Sequence, residues 1–256
     1  MQALRVFAET RPLLFVILLA ILQPVLAVPF VVATKILGIE LTPLRLIIPA
    51  AQSAFILWFI WAMGWWQKGG FSGPVRNVHL LIYPALVLFL PALLYGTVDI
   101  PAGWQFFYFL AVLATGISEE GFARGIAVPV LMKYGKWGAV LIAAAIFSAG
   151  HLTKAFFESF SMLEWIDKFG ATFGFAVLYG ALFLRTASLL PLIFLHTLAD
   201  YIYLTSGTAG PYTAEPLGIG IHMMISAANI AVGIFLLRGV RQENLPISAN
   251  PVPAPP

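Results

Sequence analysis

Three short segments of this chain place proton-handling side chains in apolar surroundings: Ile117-Ser-Glu-Glu-Gly-Phe-Ala-Arg124, Phe147-Ser-Ala-Gly-His151 and His196-Thr-Leu-Ala-Asp200. Carboxylate and imidazole together can take a proton from water, donate to a developing oxyanion and protonate a leaving amine, which are the needs of peptide hydrolysis. On a helix Glu120 and Arg124 are four apart and share a face in the favourable acid-before-base order, so they should pair. Glu119 is turned about 100° away from Glu120 and is left to meet a different partner. One carboxylate is thus structural and its neighbour reactive. His196 and Asp200 are likewise four apart and project from one face.

The elements that must position these groups are membrane helices. The chain is 61% hydrophobic and 10% charged, where a soluble domain carries about 25% charge. Apolar runs recur along its whole length and leave no room for a water-soluble enzyme domain. Eight candidate spans lie near 13–33, 46–66, 78–98, 104–132, 138–152, 169–184, 187–205 and 217–237, against the roughly 20 residues needed for a crossing. The fold class is therefore all-α, a polytopic membrane bundle of about eight helices. The fourth span is long, and tilt or a kink at Pro129 can absorb the surplus; the fifth and sixth are short. Residues 1–241 read as one transmembrane domain, and the proline-rich 242–256 as a disordered tail. The run from Met1 to Thr10 leads into the first membrane helix rather than forming a removed signal peptide.

Ionisable groups at membrane depth are costly and face a protein interior or a water-filled cavity. Counting from basic residues at the span ends with a rise of about 1.5 Å per residue, Glu119, His151, His196 and Asp200 come out at roughly 21, 22, 16 and 22 Å from one boundary. Three helices can therefore bring them together. Arg5, Arg11, Lys68, Arg76, Lys133, Lys136, Arg185, Arg238 and Arg241 fall on one side, and Lys35, Arg45, Lys154 and Lys168 on the other. This asymmetry predicts cytoplasmic termini; the expected location is the cell (inner) membrane of a prokaryote. Lysines and arginines scattered singly give no nucleic-acid footprint, so the expected partners are membrane lipid and a membrane-associated protein or peptide. With no cysteine there is neither a disulfide nor a thiolate ligand.

Bland readings cover other residues. His222 is expected to bond helix to helix and His79 to sit at the interface. Gly121, Gly125, Gly150 and Ala149 should permit close packing, Phe147 should pack beside the site, and the polar stretch from Lys154 to Lys168 should be a solvated amphipathic loop.

Glu119-Glu120-x-x-x-Arg124, Phe147-x-x-x-His151 and His196-x-x-x-Asp200, in that order and in separate apolar spans over about residues 104–205, resemble the motifs of the CAAX protease and bacteriocin-processing (Abi) family, type II CAAX prenyl endopeptidase-like intramembrane proteases. The resemblance implies an intramembrane endopeptidase acting on a membrane-associated or hydrophobic substrate, prenylated or bacteriocin-like. It implies that Glu119 and His151 activate water, that Glu120 and Arg124 form a supporting pair, and that His196 and Asp200 stabilise the oxyanion. Asp200 stands where an asparagine is often found. An ionised aspartate cannot donate to an oxyanion, so it is either protonated or orients His196. Family members are commonly named metalloproteases, and Glu119, His151 and His196 are the set that would hold zinc. No His-Glu-x-x-His pair is present, so the cofactor expectation stays none or zinc. The same carboxylates and histidines also suit a proton relay in a transporter, although no internal repeat is evident. An inert membrane scaffold is the third reading.

Overall fold

The computed structural model describes residues 1–38, 42–152, 161–206 and 216–240. The helices are α1 (Gln2–Thr10), α2 (Pro12–Val25), α3 (Val28–Leu37), α4 (Leu44–Ala62), α5 (Ile82–Val87), α6 (Leu90–Tyr95), α7 (Ala102–Glu120), α8 (Val128–Leu131), α9 (Gly135–His151), α10 (Met162–Thr186), α11 (Leu190–Thr205) and α12 (Pro216–Arg238). No strand is present among the described residues. The all-α membrane bundle is what the structure shows. Five stretches are long and apolar enough to cross a membrane: Pro12–Leu37, Leu44–Ala62, Ala102–His151, Met162–Thr186 and Gly218–Arg238. The 50-residue stretch is two antiparallel arms, turning at Gly135, whose φ of +73° suits glycine. Val78–Leu94 and Leu190–Thr205 are shorter apolar helices. Each of the eight expected spans thus meets a helical segment.

The differences have local causes. The first span breaks at Leu26–Ala27 between Pro24 and Pro29, and the third breaks between α5 and α6 ahead of Pro91, because proline cannot donate in the helix ladder. Residues 2–10 form their own helix, ended where Arg11 leaves helical geometry before Pro12. The sixth span is longer than its apolar run. Ser161 caps α10 in a reciprocal capping box with Glu164, which carries the helix through the polar 162–168. That part of the expected loop is therefore helical, while Lys154, like the proline-rich tail, lies outside the described residues. The fourth span, for which tilt or a kink at Pro129 was open, carries two irregular turns. A π-helical turn, Gly121–Ala127, follows Glu120 directly, and a 3-10 turn, Met132–Tyr134, ends the arm.

Helix α10 is the centre, with 61% of its apolar window buried against 22–39% for the other long stretches. It packs closely on α12: a Cβ at Gly174 would lie 2.7 Å from the Ser226 carbonyl, and one at Gly233 would lie 2.9 Å from Val177. In lipid, where apolar surface alone gives no drive for association, such small residues permit the contact that holds helices together. Outward-facing Ile36, Leu93 and Phe235 are exposed, as lipid-facing side chains are.

Loop contacts define two ends. At one, Leu189 N–H donates to Gly70 O, Arg76 N–H to Thr186 O, Lys136 Nζ to Val240 O and Lys133 Nζ to Glu9 O. At the other, Val98 N–H donates to Thr205 O. The first end gathers α1, the last described residues and most of the basic side chains.

Candidate active site

Glu119 and Glu120 are the last residues of α7, Arg124 lies in the π-helical turn, His151 ends α9, and His196 and Asp200 share α11. A π-turn widens the helix locally and is frequent at functional sites. Here it follows the two glutamates. Helix α11 reaches α7 closely because position 116 is glycine: a Cβ there would sit 2.8 Å from Thr197 Oγ1.

The expected ion pair forms. Arg124 Nη1 donates to Glu120 Oε1 at 2.8 Å, with both side chains at most 1% exposed. Arg124 Nη2 also donates to the Ala176 carbonyl at 3.3 Å. Its guanidinium lies over three rings, 5.1 Å from Phe147, 5.4 Å from Phe175 and 5.5 Å from Tyr179. Ring faces and carboxylate together compensate a charge taken wholly out of water.

Glu120 has a second partner. His196 Nδ1 stands 2.8 Å from the same Oε1. A carboxylate oxygen of an ionised pair only accepts, so Nδ1 carries the proton and donates. Glu120 is thus a partner of the ring that helical spacing alone did not suggest. Asp200 Oδ2 is instead 3.6 Å from His196 Nε2, the opposite edge. Phe175 packs edge-on against the imidazole at 4.9 Å.

Glu119 turns away from the ion pair, as its offset along the helix requires. Its Oε2 lies 3.7 Å from His151 Nε2 and 3.7 Å from His196 Nε2. His151 Nδ1 donates to the Phe147 carbonyl at 2.9 Å, because that carbonyl is an acceptor only. Phe147 packs against the His151 ring at 4.5 Å, so it is packing beside the site, as expected. The side chains of Glu119, His151 and Asp200 are 27%, 26% and 39% exposed, whereas that of His196 is 7% exposed.

Glu119, His151 and His196, the set the resemblance would assign to zinc, face one another with Glu119 Oε2 3.7 Å from each ring Nε2; among the described residues no group of three His, Asp or Glu side chains is drawn together as a metal site.

Other expectations resolve separately. His222 Nδ1 lies 3.2 Å from Asp167 Oδ2, joining α12 to α10 as a helix-to-helix bond. Gly121 and Gly125 are packing positions against Ile56 and Ile60, while a Cβ at Gly150 would meet nothing within 4 Å among the described residues, and Ala149 is exposed. Phe175 and Tyr179 were not legible as site residues. Their spacing of four puts them on one face of α10, but aromatics at helical spacing in an apolar span usually mean only core.

No curated protein and no solved structure matches the chain. Residues 101–202, the stretch from the start of α7 through both motif residues of α11, match the family model described as type II CAAX prenyl endopeptidase Rce1-like, the protease family that the three motifs resemble.

Proposed function

We propose that the chain is an intramembrane endopeptidase that hydrolyses a peptide bond in a membrane-associated or hydrophobic substrate, with a prenylated C-terminus as the substrate class the matched family suggests. The observation that carries the reading is the convergence of Glu119 Oε2 on two imidazole edges at 3.7 Å each. Groups at that separation accommodate one water oxygen within hydrogen-bond reach of both. Glu119 and His151 Nε2 accept from that water, and Glu119 takes its proton as the oxygen attacks the scissile carbonyl. The proton then passes to the leaving amine.

His196 stabilises the oxyanion. With Nδ1–H committed to Glu120, its Nε2 donates only if the ring carries both protons, and Glu119, Glu120 and Asp200 surround that positive charge. Glu120 and Arg124 are positioning residues. They hold the His196 ring in one orientation through Nδ1–H, and the Glu120 carboxylate supports the positive charge of the doubly protonated ring.

The expected setting is a prokaryotic inner membrane with both termini cytoplasmic, a reading supported by the shared, basic end of the bundle. Purified active protein is expected to lack stoichiometric metal and to resist chelators. One tightly held zinc per chain, with activity following occupancy, would replace water activation by a ligand-set reading. The direct test compares C-terminal peptides of membrane proteins with the intact chain and with Glu119→Gln. A substrate trimmed only by the intact chain supports the proposal, and identical termini overturn it.

A further inference from the structure

The basic end of the bundle carries a cavity unconnected with the motifs. Ala8 and Glu9 of α1, Trp65 and Lys68 of the turn after α4, and Val130 and Lys133 at the end of α8 enclose about 160 Å³. Lys68 Nζ rests 4.8 Å from the centre of the Trp65 ring. Lys133 Nζ donates to the Glu9 carbonyl at 3.2 Å, which leaves further N–H donors on the ammonium. Two ammonium groups face one carboxylate, that of Glu9, so the lining carries a net positive charge. Beside it lies α1, with Ala8 buried and Phe7 edge-on to Phe15, while Met1, Leu4 and Val6 are exposed. Exposed apolar side chains on a short helix that also carries charge suit a membrane interface.

We infer that this cavity binds the phosphate of an anionic membrane lipid, with the acyl chains running beside the exposed apolar side chains of α1. The cavity is lined by both polar and apolar side chains, and it is formed where α1, the turn after α4 and the α8 arm with its 3-10 turn meet, at the end of the bundle the basic residues mark. Burial lowers the Lys68 ammonium below the usual lysine range, with Glu9 acting in the opposite sense. A phosphate between Lys68 and Lys133 compensates that burial, and it ties α1 to the bundle through Lys133, which touches both.

Native mass spectrometry of the full chain in detergent tests this with phosphatidylglycerol, phosphatidylcholine and inorganic phosphate as probes. Phosphatidylglycerol is expected to be retained at least about fivefold more strongly than phosphatidylcholine, and Lys68→Gln and Lys133→Gln each to weaken it about fivefold. Lys35→Gln, at the other end, leaves retention unchanged. Equal retention of the two lipids, or retention indifferent to the cavity lysines, overturns the inference. Displacement of the lipid by millimolar inorganic phosphate, with phosphate itself retained, assigns the site to free phosphate and overturns the lipid assignment. Lys133 is exposed, so its substitution, checked by an unchanged melting profile, keeps the test decisive if Lys68→Gln does not fold.

Discussion

The candidate site has two halves built on opposite principles. In the buried half, Arg124, Glu120 and His196 share one carboxylate oxygen at 2.8 Å from each partner and are enclosed by Phe147, Phe175 and Tyr179. In the open half, Glu119, His151 and Asp200 are a quarter or more exposed, and their carboxylate–imidazole approaches stand at 3.6–3.7 Å. Short, dry contacts fix geometry, because stranding one member leaves an uncompensated buried charge. Longer, wetter ones leave room for a reacting water. The two halves meet at His196, whose Nδ1 belongs to the first and Nε2 to the second.

Substitutions in the open half should remove chemistry and spare the fold. Glu119→Gln and His151→Ala are each expected to lower turnover by about 10²–10⁴, the range of a lost general base, with undiminished yield of inserted protein. Cleavage assays on equal amounts of purified protein check this. A parallel fall in yield and melting temperature would erase the distinction between the halves.

Substitutions in the buried half should reverse that order. Glu120→Gln and Arg124→Ala each strand a charge among groups that are almost wholly inaccessible, at a cost of about 3–5 kcal/mol. Yield and thermal stability in detergent should fall first, with activity following the folded fraction. His196→Ala, at the junction, should fold and lose about 10²–10³ in kcat with little change in KM, as for a lost oxyanion donor. A mainly KM effect would place His196 in substrate binding instead.

The legibility of this molecule in its sequence follows the same division. Helical spacing suffices for the Glu120–Arg124 pair and for the divergence of Glu119, because both depend only on local periodicity. The choice of Glu120 over Asp200 as partner of His196 Nδ1 depends on how α7 meets α11, a contact set by Gly116 and its neighbours that no local rule contains. The π-turn after Glu120 has no compositional mark, and Pro129 offered a simpler place to bend. Phe175 and Tyr179 were hidden because a ring that cages a guanidinium and a ring that fills a core have the same sequence. The start of α10 was missed for the opposite reason: Ser161 and Glu164 formed a readable capping box, but the polarity of the residues behind them suggested solvent.

Asp200 gives the smallest and most discriminating effect. Its carboxylate is 39% exposed and 3.6 Å from His196 Nε2, beyond direct hydrogen-bond range. Solvent on the Asp200 side screens its charge and no direct hydrogen bond is lost, so removing it should cost less than about tenfold in turnover. Asp200→Asn keeps the shape and adds N–H donors that can reach an oxyanion, which offsets part of the loss. Asp200→Leu keeps neither charge nor donor and should be the poorer enzyme of the two. The pH profile separates the roles: if the useful form of Asp200 is the protonated donor, wild-type activity falls as pH rises through its titration, and Asp200→Asn abolishes that fall. If the useful form is the anion beside a doubly protonated His196, wild-type activity instead rises through that titration, and the asparagine variant loses the rise while staying within tenfold of wild type at its optimum. We expect the second pattern, because Glu120 fixes the ring through Nδ1 and leaves Asp200 only the electrostatic task. A loss at Asp200→Asn as large as that at Glu119→Gln would move Asp200 into the water-activating set and make the open half a cluster of three interdependent groups.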